Sequence, residues 1–333
     1  MKISVIIPAF NAAHDLAVTL SHLFKSDYSD FEVIVVDDCS TDDTAAIARS
    51  FPVQVITSAK NSGAATARNK GSQIARGDIL YFIDADVWVD VDTLHLVRAT
   101  FDDEPQAGAV VGAYKSVQPL DNFYSHFQNF FTYYNHDCCS EAQLSYISWF
   151  WTACGAIKKE VFKSMGGFRE IYVGASAEDM DLGYRLKARG YLIVLNKNLA
   201  VTHAHRHTMN SIVRNNLKKA AAWGELYGRH NLGGQYKHGF TSYHNFLTLL
   251  LVAVLSLSLP GLFVTAWSGV PCLAAIFLIL LINRQFYALM YHHKDFIFLV
   301  KSILFHILAS FFIGVGGLIA ISRLIRGQEG EKF

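Results

Sequence analysis

Short apolar runs alternate with helix-like segments over residues 1–90. The runs "ISVIIP", "FEVIVVDD", "VQVIT" and "DILYFID" each predict a strand, because they are short, apolar and bounded by turn residues. Between the first two, leucines recur at helical spacing behind Asn11, which we expect to cap a helix. Ser40 and Asp43 resemble a capping box at the start of a second helix, and "SGAATARNKGSQIARG" predicts a third. This alternation predicts an α/β fold with a mostly parallel, twisted sheet covered by helices on both faces.

Three long apolar segments occupy the last part of the chain. Asn245–Trp267 carries no charge and is long enough to span a bilayer. Val270–Tyr291 is nearly as apolar but contains "NRQ", and Phe296–Ile321 contains a single lysine and a single histidine. These segments predict a transmembrane region at 244–322 with two or three membrane segments, followed by a polar tail at 323–333. A soluble helical bundle is the alternative, which the absence of a polar face in the first segment disfavours.

A basic helix is predicted just before the apolar segments, at Thr208–Arg229. One of its faces is apolar, so it can lie at a membrane surface or pack against the preceding domain. We assign 208–243 to this amphipathic interfacial helix and its linker. The start of the chain, "MKISVIIPAF", does not resemble a signal peptide, so the first domain is expected in the cytoplasm. The chain is thus predicted to be a multi-pass protein of the inner or plasma membrane.

Basic residues beside the apolar segments indicate how these segments are oriented. If the first domain is cytoplasmic, the first segment crosses outward and ends at Trp267, and the second segment crosses back. Residues 292–294 then lie on the cytoplasmic side, as the positive-inside rule prefers. A third full crossing would place Arg323 and Arg326 outside, which the same rule disfavours. The third segment can instead be re-entrant or lie in the interface, so the sequence leaves the number of crossings open.

Charge is divided unevenly along the chain. Residues 1–195 contain 16 Lys and Arg against 24 Asp and Glu, whereas residues 196–333 contain 13 against 4. The basic C-terminal part of the chain is expected to face anionic lipid or phosphate. No nucleic-acid partner is predicted. The five cysteines are odd in number and lack the spacing of a metal site, which indicates free thiols in a reducing compartment.

Four carboxylates follow predicted strands, namely Asp37, Asp38, Asp84 and Asp86. Ligands of open α/β sheets bind outside the carboxyl ends of the strands, so these residues lie where sites form. Asp84 and Asp86 are two residues apart and point to the same side of an extended chain. Because two carboxylates so close repel each other unless a cation lies between them, the pair indicates a site for a hard divalent cation.

Alternate histidines in "VTHAHRH" offer a second kind of metal ligand. On an extended segment His203 and His205 share one face, and imidazole can complete a metal shell begun by Asp86. A zinc site made of histidines alone is the rival interpretation, although no cysteine or glutamate completes it.

Seven strings of this sequence occur in an order typical of one enzyme family: "SVIIPAFN", "VIVVDDCSTDDT", "NSGAATARNKG", "FIDADV", "GGFRE", "EDMDLGYRLKARGY" and "VTHAHRH". Together they resemble the inverting family 2 glycosyltransferases of the GT-A fold, over roughly residues 3–230. The resemblance implies a GT-A (Rossmann-like) catalytic domain at 1–207, a nucleotide-sugar donor, most often a UDP-sugar, and a divalent cation, Mg²⁺ or Mn²⁺. The apolar tail is similar to that of membrane-anchored members whose acceptors are lipids or lipid-linked sugars.

The resemblance also implies which residues hold the cation and the donor. Asp86 matches a metal ligand, with His203 and then His205 as its partners, and Asp84 is expected at the metal or nearer the ribose. The remaining donor contacts implied are Asp38 at the base, Asp37 orienting its loop, the backbone of Pro8 and Ala9 at the base, Arg68 at the diphosphate and Gly155 beneath the donor sugar.

The string "EDMDLGYRLKARGY" contains the expected general base. Asp179 matches the family's catalytic base, which takes the proton of an acceptor hydroxyl, and Glu178 is expected to support it or to contact acceptor hydroxyls. Asp181 and Arg185 are four apart on the predicted helix and can pair with each other. Gly190 is expected to end that helix.

The leading hypothesis is a membrane-anchored, metal-dependent inverting glycosyltransferase that moves one sugar to a hydroxyl of a lipid or lipid-linked acceptor. The segment after "VTHAHRH" lacks the Gln-x-x-Arg-Trp signature of processive membrane synthases, which favours a single transfer. Two alternatives stay open. One is a polyprenyl-phosphate glycosyltransferase, whose ionised acceptor needs no base, and the other is a non-catalytic membrane adaptor that binds a nucleotide sugar.

Overall fold

Two structural units divide the chain. The computed structural model describes residues 1–116, 118–137, 142–172, 177–230, 243–265, 267 and 269–326. The first unit contains the described residues of 1–120 and 140–205, and the second contains those of 121–139 and 206–331. The boundary at 205 lies close to the expected end of the first domain at 207, but 121–139 group with the C-terminal segments.

The first unit is built on a nine-stranded sheet. Its strands are β1 (Ile3–Ala9), β2 (Phe31–Asp37), β3 (Gln54–Thr57), β4 (Ile79–Phe82), β5 (Val87–Trp88), β6 (Ala107–Tyr114), β7 (Leu144–Ile147), β8 (Gly155–Lys158) and β9 (Leu192–His203). The strand order is β3-β2-β1-β4-β8-β6-β9-β5, and β7 pairs with β9 beside this path.

Most strands of this sheet run in one direction. β3, β2, β1 and β4 pair in parallel, and β6 and β9 also pair in parallel. β8 is antiparallel to both β4 and β6, so these two groups of strands point the same way. The expectation of a mostly parallel α/β sheet is therefore confirmed.

The central strands are buried along their whole length. Every residue of β4 and of β6 is buried, and in β1 only Pro8 is partly exposed. Strands covered on both faces read as continuous apolar runs rather than as alternating ones, which is why "ISVIIP" and "DILYFID" lack a polar face.

Seven helices lie before β9 in the described part of the chain. They are α1 (Ala13–Leu23), α2 (Thr44–Arg49), α3 (Ala64–Ile74), α4 (Thr93–Asp103), α5 (Phe123–Asp137), α6 (Lys159–Ser164) and α7 (Glu178–Ala188). All except α5 belong to the first unit. Gly190 follows α7 with a φ of +81°, a conformation that favours glycine, so the expected end of this helix is confirmed.

The two predicted helix caps are wrong in detail. α1 begins at Ala13 behind Ala12, which makes no side-chain cap bond, and Asn11 lies outside the helix with a φ of +49°. The Oδ1 atom of Asn11 instead accepts a hydrogen bond of 2.8 Å from the backbone N–H of Thr41. α2 begins at Thr44 and likewise lacks a side-chain cap bond. The polar residues predicted as caps thus tie together the loops that follow β1 and β2.

The second unit is helical throughout its described residues. Besides α5 it contains α8 (Met209–His230), α9 (Tyr243–Ser258), α10 (Gly269–Ile282), α11 (Arg284–His293) and α12 (Phe296–Ile325). Two of its helical segments, His244–Phe263 and Phe296–Ile325, are long and apolar enough to cross a membrane. α10 and α11 pass the same test only as a pair bent by 65°, so the described residues contain two or at most three candidate spans.

A buried amide accounts for the bend between α10 and α11. Asn283 lies at the N-terminus of α11, and its Nδ2 donates to the hydroxyl of Thr248 and to the carbonyl of Ile279, both at 2.9 Å. The bond to Thr248 ties the end of α10 to the first turns of α9. The "NRQ" interruption in the sequence therefore lies at the end of α10, next to the start of α9.

The aromatic segment before residue 140 packs as a core, and it does so within the second unit. Phe127 and Phe130 of α5 form one buried cluster with Ile212 of α8, Phe286 of α11 and Phe305 of α12. The expected interfacial helix is present as α8, whereas 231–242 of its predicted linker and 327–333 of the predicted polar tail lie outside the described residues.

Candidate active site

The carboxyl ends of β1, β2, β4 and β9 meet at one edge of the sheet. These strands point in one direction, so Ala9, Asp37 and His203 lie at their ends and Asp84 lies just beyond β4. Ala9 is directly opposite Asp37 in the β1–β2 register. Most of the predicted site residues therefore share this edge, where ligands of such sheets bind.

A short antiparallel pairing brings the histidine segment to Asp86. Val87 of β5 lies opposite His203 of β9, and the backbone N–H of Ala204 donates to the carbonyl of Asp86 at 2.8 Å. The side chains of Asp86 and His203 are separated by more than one hundred residues of sequence, and only this pairing makes them neighbours.

One group of His, Cys, Asp and Glu side chains in the described part of the chain has the geometry to hold a metal ion. It consists of Asp86, His203 and His205, whose ligand atoms all lie within 4.8 Å of one another. The Oδ1 atom of Asp86 is 3.2 Å from Nε2 of His203, and its Oδ2 atom is 2.8 Å from Nδ1 of His205. One carboxylate and two imidazoles form a donor set that fits a divalent ion, and the three residues are partly buried.

Aromatic stacking orients the imidazoles of this metal cluster. The rings of His203 and His205 stack 5.6 Å apart, and the ring of Tyr114 stacks on His203 at 5.0 Å. Burial raises the pKa of Asp86, but the two imidazoles outweigh it and hold that pKa below its usual range. Tyr114 was missed from the sequence, since one tyrosine in an apolar strand carries no signal of its own.

Asp38 presents one buried carboxylate oxygen without a partner. Its Oδ2 atom accepts hydrogen bonds from the backbone N–H groups of Ser62, at 2.8 Å, and Gly63, at 2.6 Å. Its own N–H donates to the carbonyl of Ala9 at 2.8 Å. The Oδ1 atom is buried and has no hydrogen-bond partner, which is costly unless a ligand donates to it. This arrangement fits a donor group such as the N–H of a nucleotide base.

Asp37 shapes the loop that carries Asp38. It is buried, and its Oδ1 atom accepts from the backbone N–H of Ser40 at 3.1 Å. Between them, Cys39 adopts a φ of +68°, which a residue other than glycine rarely does. Asp37 therefore stabilises a strained turn beside Asp38, and its predicted role at a donor site stays a prediction.

Arg68 lies in a place different from the one predicted. It was expected at the diphosphate of a donor, but its side chain is 2% exposed and held between two carboxylates. One guanidinium nitrogen is 2.6 Å from Oδ1 of Asp84 and the other is 3.0 Å from Oε1 of Glu178. Although burial opposes its charge, these carboxylates raise the pKa of Arg68 above its usual value. Arg68 is thus a buried counter-ion with no exposed face for a phosphate.

The same ion pairs set the positions of Asp84 and Glu178. The group that could hold a metal ion does not include Asp84, which we had expected as a ligand. The Oδ1 atom of Asp84 is bound to Arg68, and its Oδ2 atom lies outside that ion pair. Glu178 is 2% exposed at the first position of α7 and supports the helix through Arg68. Its expected contact with acceptor hydroxyls does not fit this burial.

Asp179 follows Glu178 in the first turn of α7 and is only half-buried. Its Oδ1 atom accepts from the backbone N–H of Met180 at 2.8 Å. The predicted pairing of Asp181 with Arg185 is confirmed, at 2.7 Å, and Asp181 is completely buried. Of the three carboxylates in this turn, two are engaged in buried ion pairs and Asp179 is the accessible one.

Packing alone accounts for Gly155. It lies in β8, where an added Cβ would overlap the carbonyl of Trp151 and approach the ring of Phe150 at 2.7 Å. Its predicted contact with the donor sugar stays a prediction. Beside it, burial raises the pKa of the Cys154 thiol to about 12, so this cysteine is not a nucleophile at neutral pH.

Comparison with known proteins identifies the family. Residues 4–166 match the model of glycosyl transferase family 2. This stretch, just under half of the chain, is a glycosyl transferase family 2 domain. The chain is 28% identical over 243 residues to validoxylamine A glucosyltransferase of Streptomyces hygroscopicus, an alignment that covers 62% of this chain and 57% of the relative. It is also 29% identical over 217 residues to an uncharacterised glycosyltransferase of Haemophilus influenzae, with 63% and 70% covered.

A solved structure of similar fold supports the architecture. A mannosyltransferase from Pyrobaculum calidifontis, in complex with GDP-Man and Mn²⁺, aligns with a TM-score of 0.56 at 19% identity, over 98% of this chain and 88% of its own. The prediction of a family 2 glycosyltransferase fold of the GT-A type is confirmed. The chain spans little more than half the length of the validoxylamine A glucosyltransferase.

Replacement of Arg68 by methionine tests the buried ion pairs. Arg68→Met removes the buried cation that pairs with Glu178 and Asp84, so we expect a loss of about 3–5 kcal/mol in the free energy of unfolding, measured by urea denaturation in detergent. Lys60→Met is the matched control, since Lys60 is exposed and should change stability by less than about 0.5 kcal/mol. Equal stability of the two variants would contradict the assigned role of Arg68.

Proposed function

We propose that this protein is a membrane-anchored, metal-dependent inverting glycosyltransferase that moves one sugar from a nucleotide-sugar donor to a hydroxyl of a lipid or lipid-linked acceptor. The observation that carries the proposal is the cluster of Asp86, His203 and His205 at the sheet edge that also bears Asp38. The match to family 2 supports the reaction class.

The donor is recognised first at its base. The unpartnered Oδ1 atom of Asp38 accepts a hydrogen bond from a base N–H, and the adjacent backbone of Pro8 and Ala9 lines the same position. Uracil offers such an N–H at N3, as do thymine at N3 and guanine at N1. Because the donors of the family are most often UDP-sugars, a UDP-sugar is the proposed donor. Asp84 is available to the ribose through Oδ2, since Arg68 binds only its other oxygen.

Asp86, His203 and His205 are the residues that would hold the cation. A divalent ion bound there supplies Lewis-acid stabilisation of the charge that develops on the departing nucleotide diphosphate. Two imidazoles beside one carboxylate suit a transition-metal ion such as Mn²⁺ better than Mg²⁺, which prefers oxygen ligands.

Asp179 is the proposed base. It takes the proton of the acceptor hydroxyl while the hydroxyl oxygen attacks the anomeric carbon from the side opposite the leaving group. The bond between that carbon and the phosphate oxygen breaks, and its electron pair leaves with the nucleotide diphosphate, so the configuration inverts. Arg68 positions this base indirectly, because it ties α7 to the loop of Asp84 through Glu178.

The acceptor is proposed to be a lipid or lipid-linked sugar at the cytoplasmic face of the membrane. This part of the proposal is supported by the candidate spans His244–Phe263 and Phe296–Ile325 and by the basic helix α8. We propose the segments 208–243 and 244–322 as the interfacial and membrane regions that follow the catalytic domain at 1–207.

Removal of the divalent ion should abolish transfer. We expect EDTA to stop turnover, Mn²⁺ to restore it more effectively than Mg²⁺, and His203→Ala or His205→Ala to raise the Mn²⁺ concentration for half-maximal activity by at least about tenfold. His207→Ala is the matched control, because His207 lies in the same string but outside the metal cluster. Full activity in EDTA would rule out a metal-dependent mechanism.

Asp38→Asn tests the donor site. The amide still accepts from Ser62 and Gly63 but turns a donor toward the base, so affinity for UDP measured by calorimetry should fall about 10- to 100-fold. Asp43→Asn changes an exposed carboxylate nearby and should bind UDP normally. Unchanged affinity of Asp38→Asn for UDP, and equally for GDP, would remove Asp38 from the site.

Asp179→Asn separates binding from chemistry. Because the amide cannot take a proton, we expect transfer to a hydroxyl acceptor to fall about 10²- to 10⁴-fold while UDP affinity and unfolding temperature stay unchanged. The assay uses labelled donors with a membrane-lipid extract and, separately, with undecaprenyl phosphate, and Asp103→Asn serves as the exposed control. Retained turnover with the phosphate acceptor would instead identify a polyprenyl-phosphate glycosyltransferase, and binding without any turnover would identify an adaptor.

A further inference from the structure

A lysine and a histidine from distant segments face each other in the second unit. Lys294 lies between α11 and α12, and His126 lies in the first turn of α5. The Nζ atom of Lys294 is 3.1 Å from Nε2 of His126, so the ammonium donates a hydrogen bond to the imidazole. Both residues belong to the second unit, in which α5 packs with α11 and α12.

The charge of Lys294 has no paired counter-ion in the part of the chain that the structure describes. Neither Lys294 nor His126 forms an ion pair with a carboxylate there. Asp295 follows Lys294, but its Oδ1 atom accepts the backbone N–H of Phe298 at 2.7 Å as the N-cap of α12. Burial and then Lys294 lower the pKa of the His126 imidazole, and the attraction of Asp121 is too small to offset them. His126 is therefore neutral, and the ammonium is left unpaired.

Aromatic rings line this pair. His126 is 9% exposed, and its ring stacks on Phe130 at 6.4 Å and meets Phe298 edge-on at 6.2 Å. The ring of His293 lies 5.6 Å from that of Phe130. Lys294 itself is half-exposed, so an anion can reach it. Because the surrounding rings are apolar, an anion bound there interacts with the ammonium more strongly than it would in bulk water.

Exposed apolar side chains adjoin the ammonium. Phe296 and Ile297 follow Lys294 closely in sequence, and they are 66% and 64% exposed. They begin α12, which is long and apolar enough to cross a membrane. A lysine at the end of such a helix lies at the level of the lipid headgroups, where phosphate is the prevalent anion. The ammonium and the apolar side chains thus match the two parts of a lipid, its phosphate and its hydrocarbon chain.

We propose that Lys294 and His126 bind the phosphate of a membrane lipid, while Phe296 and Ile297 contact its hydrocarbon chain. Lys294 uses one of its three N–H donors on His126, so two remain for phosphate oxygens. A phosphate beside the imidazole favours its protonated form, in which Nε2 donates instead of accepting. The site recognises a phosphate that carries a long apolar chain, which includes phospholipids and prenyl phosphates. This inference rests on the membrane attachment proposed above.

Lipid binding by the full-length protein in detergent tests the site. Native mass spectrometry compares dioleoyl phosphatidate and undecaprenyl phosphate with dioleoylglycerol, which lacks the phosphate, and no nucleotide sugar or metal is present. We expect both phosphates to bind wild-type protein at least about tenfold more tightly than dioleoylglycerol. Lys294→Met should remove this preference and Lys294→Arg should retain most of it. Lys301→Met is the matched control, because Lys301 is an exposed lysine of the same helix.

A second variant addresses the histidine. His126→Gln should weaken phosphatidate binding at least about threefold, since the amide cannot become a cation. His292→Gln is its control, because His292 is exposed and lies outside the pair. The unfolding temperature of each variant is measured alongside, and a preference for phosphate that survives in folded Lys294→Met and His126→Gln would overturn the proposal.

Two further outcomes would also contradict a specific lipid site. Equal losses in Lys294→Met and Lys301→Met would show general attraction to a basic surface. Inorganic phosphate is the remaining probe, and if it binds as tightly as phosphatidate, the site takes free phosphate and the proposal of a lipid is wrong. Because binding is measured without a sugar donor, turnover in the transfer assays combined with no preference for phosphate would overturn this site alone.

Discussion

The pairing of β5 with β9 is the constraint on which the candidate site depends. Val87 lies opposite His203, so Asp86 and the two histidines converge although more than one hundred residues separate them in sequence. Because β9 is parallel to β6 and points the same way as β1, β2 and β4, its end also reaches the edge that bears Asp38. Strand direction thus gathers Asp38, the carboxylate proposed to bind the base, and the candidate metal site of Asp86, His203 and His205 at one edge.

A buried arginine links the two sides of this site. Arg68 holds Asp84 beyond β4 and Glu178 at the start of α7, and neither Arg68 nor Glu178 is accessible to solvent. Buried charges are tolerated when each has a partner, so the three side chains fix one another in place. Asp179, in the first turn of α7, is only half-buried, whereas its neighbours Glu178 and Asp181 are buried in ion pairs.

The second unit packs strongly apolar helices beside the basic helix α8. α5 contributes phenylalanines to a core with α8, α11 and α12, while the small residues of α8 and α12 allow these two helices to touch. The charged face of α8 remains exposed as a result.

Local pattern in the sequence predicted four of the nine strands, the helices α1, α2, α3, α7 and α8, the apolar C-terminal segments and the mostly parallel sheet. The family resemblance indicated the short stretches that hold Asp38, Asp86, Asp179 and His203. Strands and helices follow from hydrophobic periodicity and from turn residues, which are properties of a few neighbouring residues. Tertiary structure alone decided that Arg68 is a buried counter-ion, that Asn11 joins two loops rather than capping a helix, and that α5 packs with the C-terminal helices. Each of those outcomes depends on a partner that is distant in sequence. The spacing of residues along the chain does not reveal which distant group will pack against a given side chain.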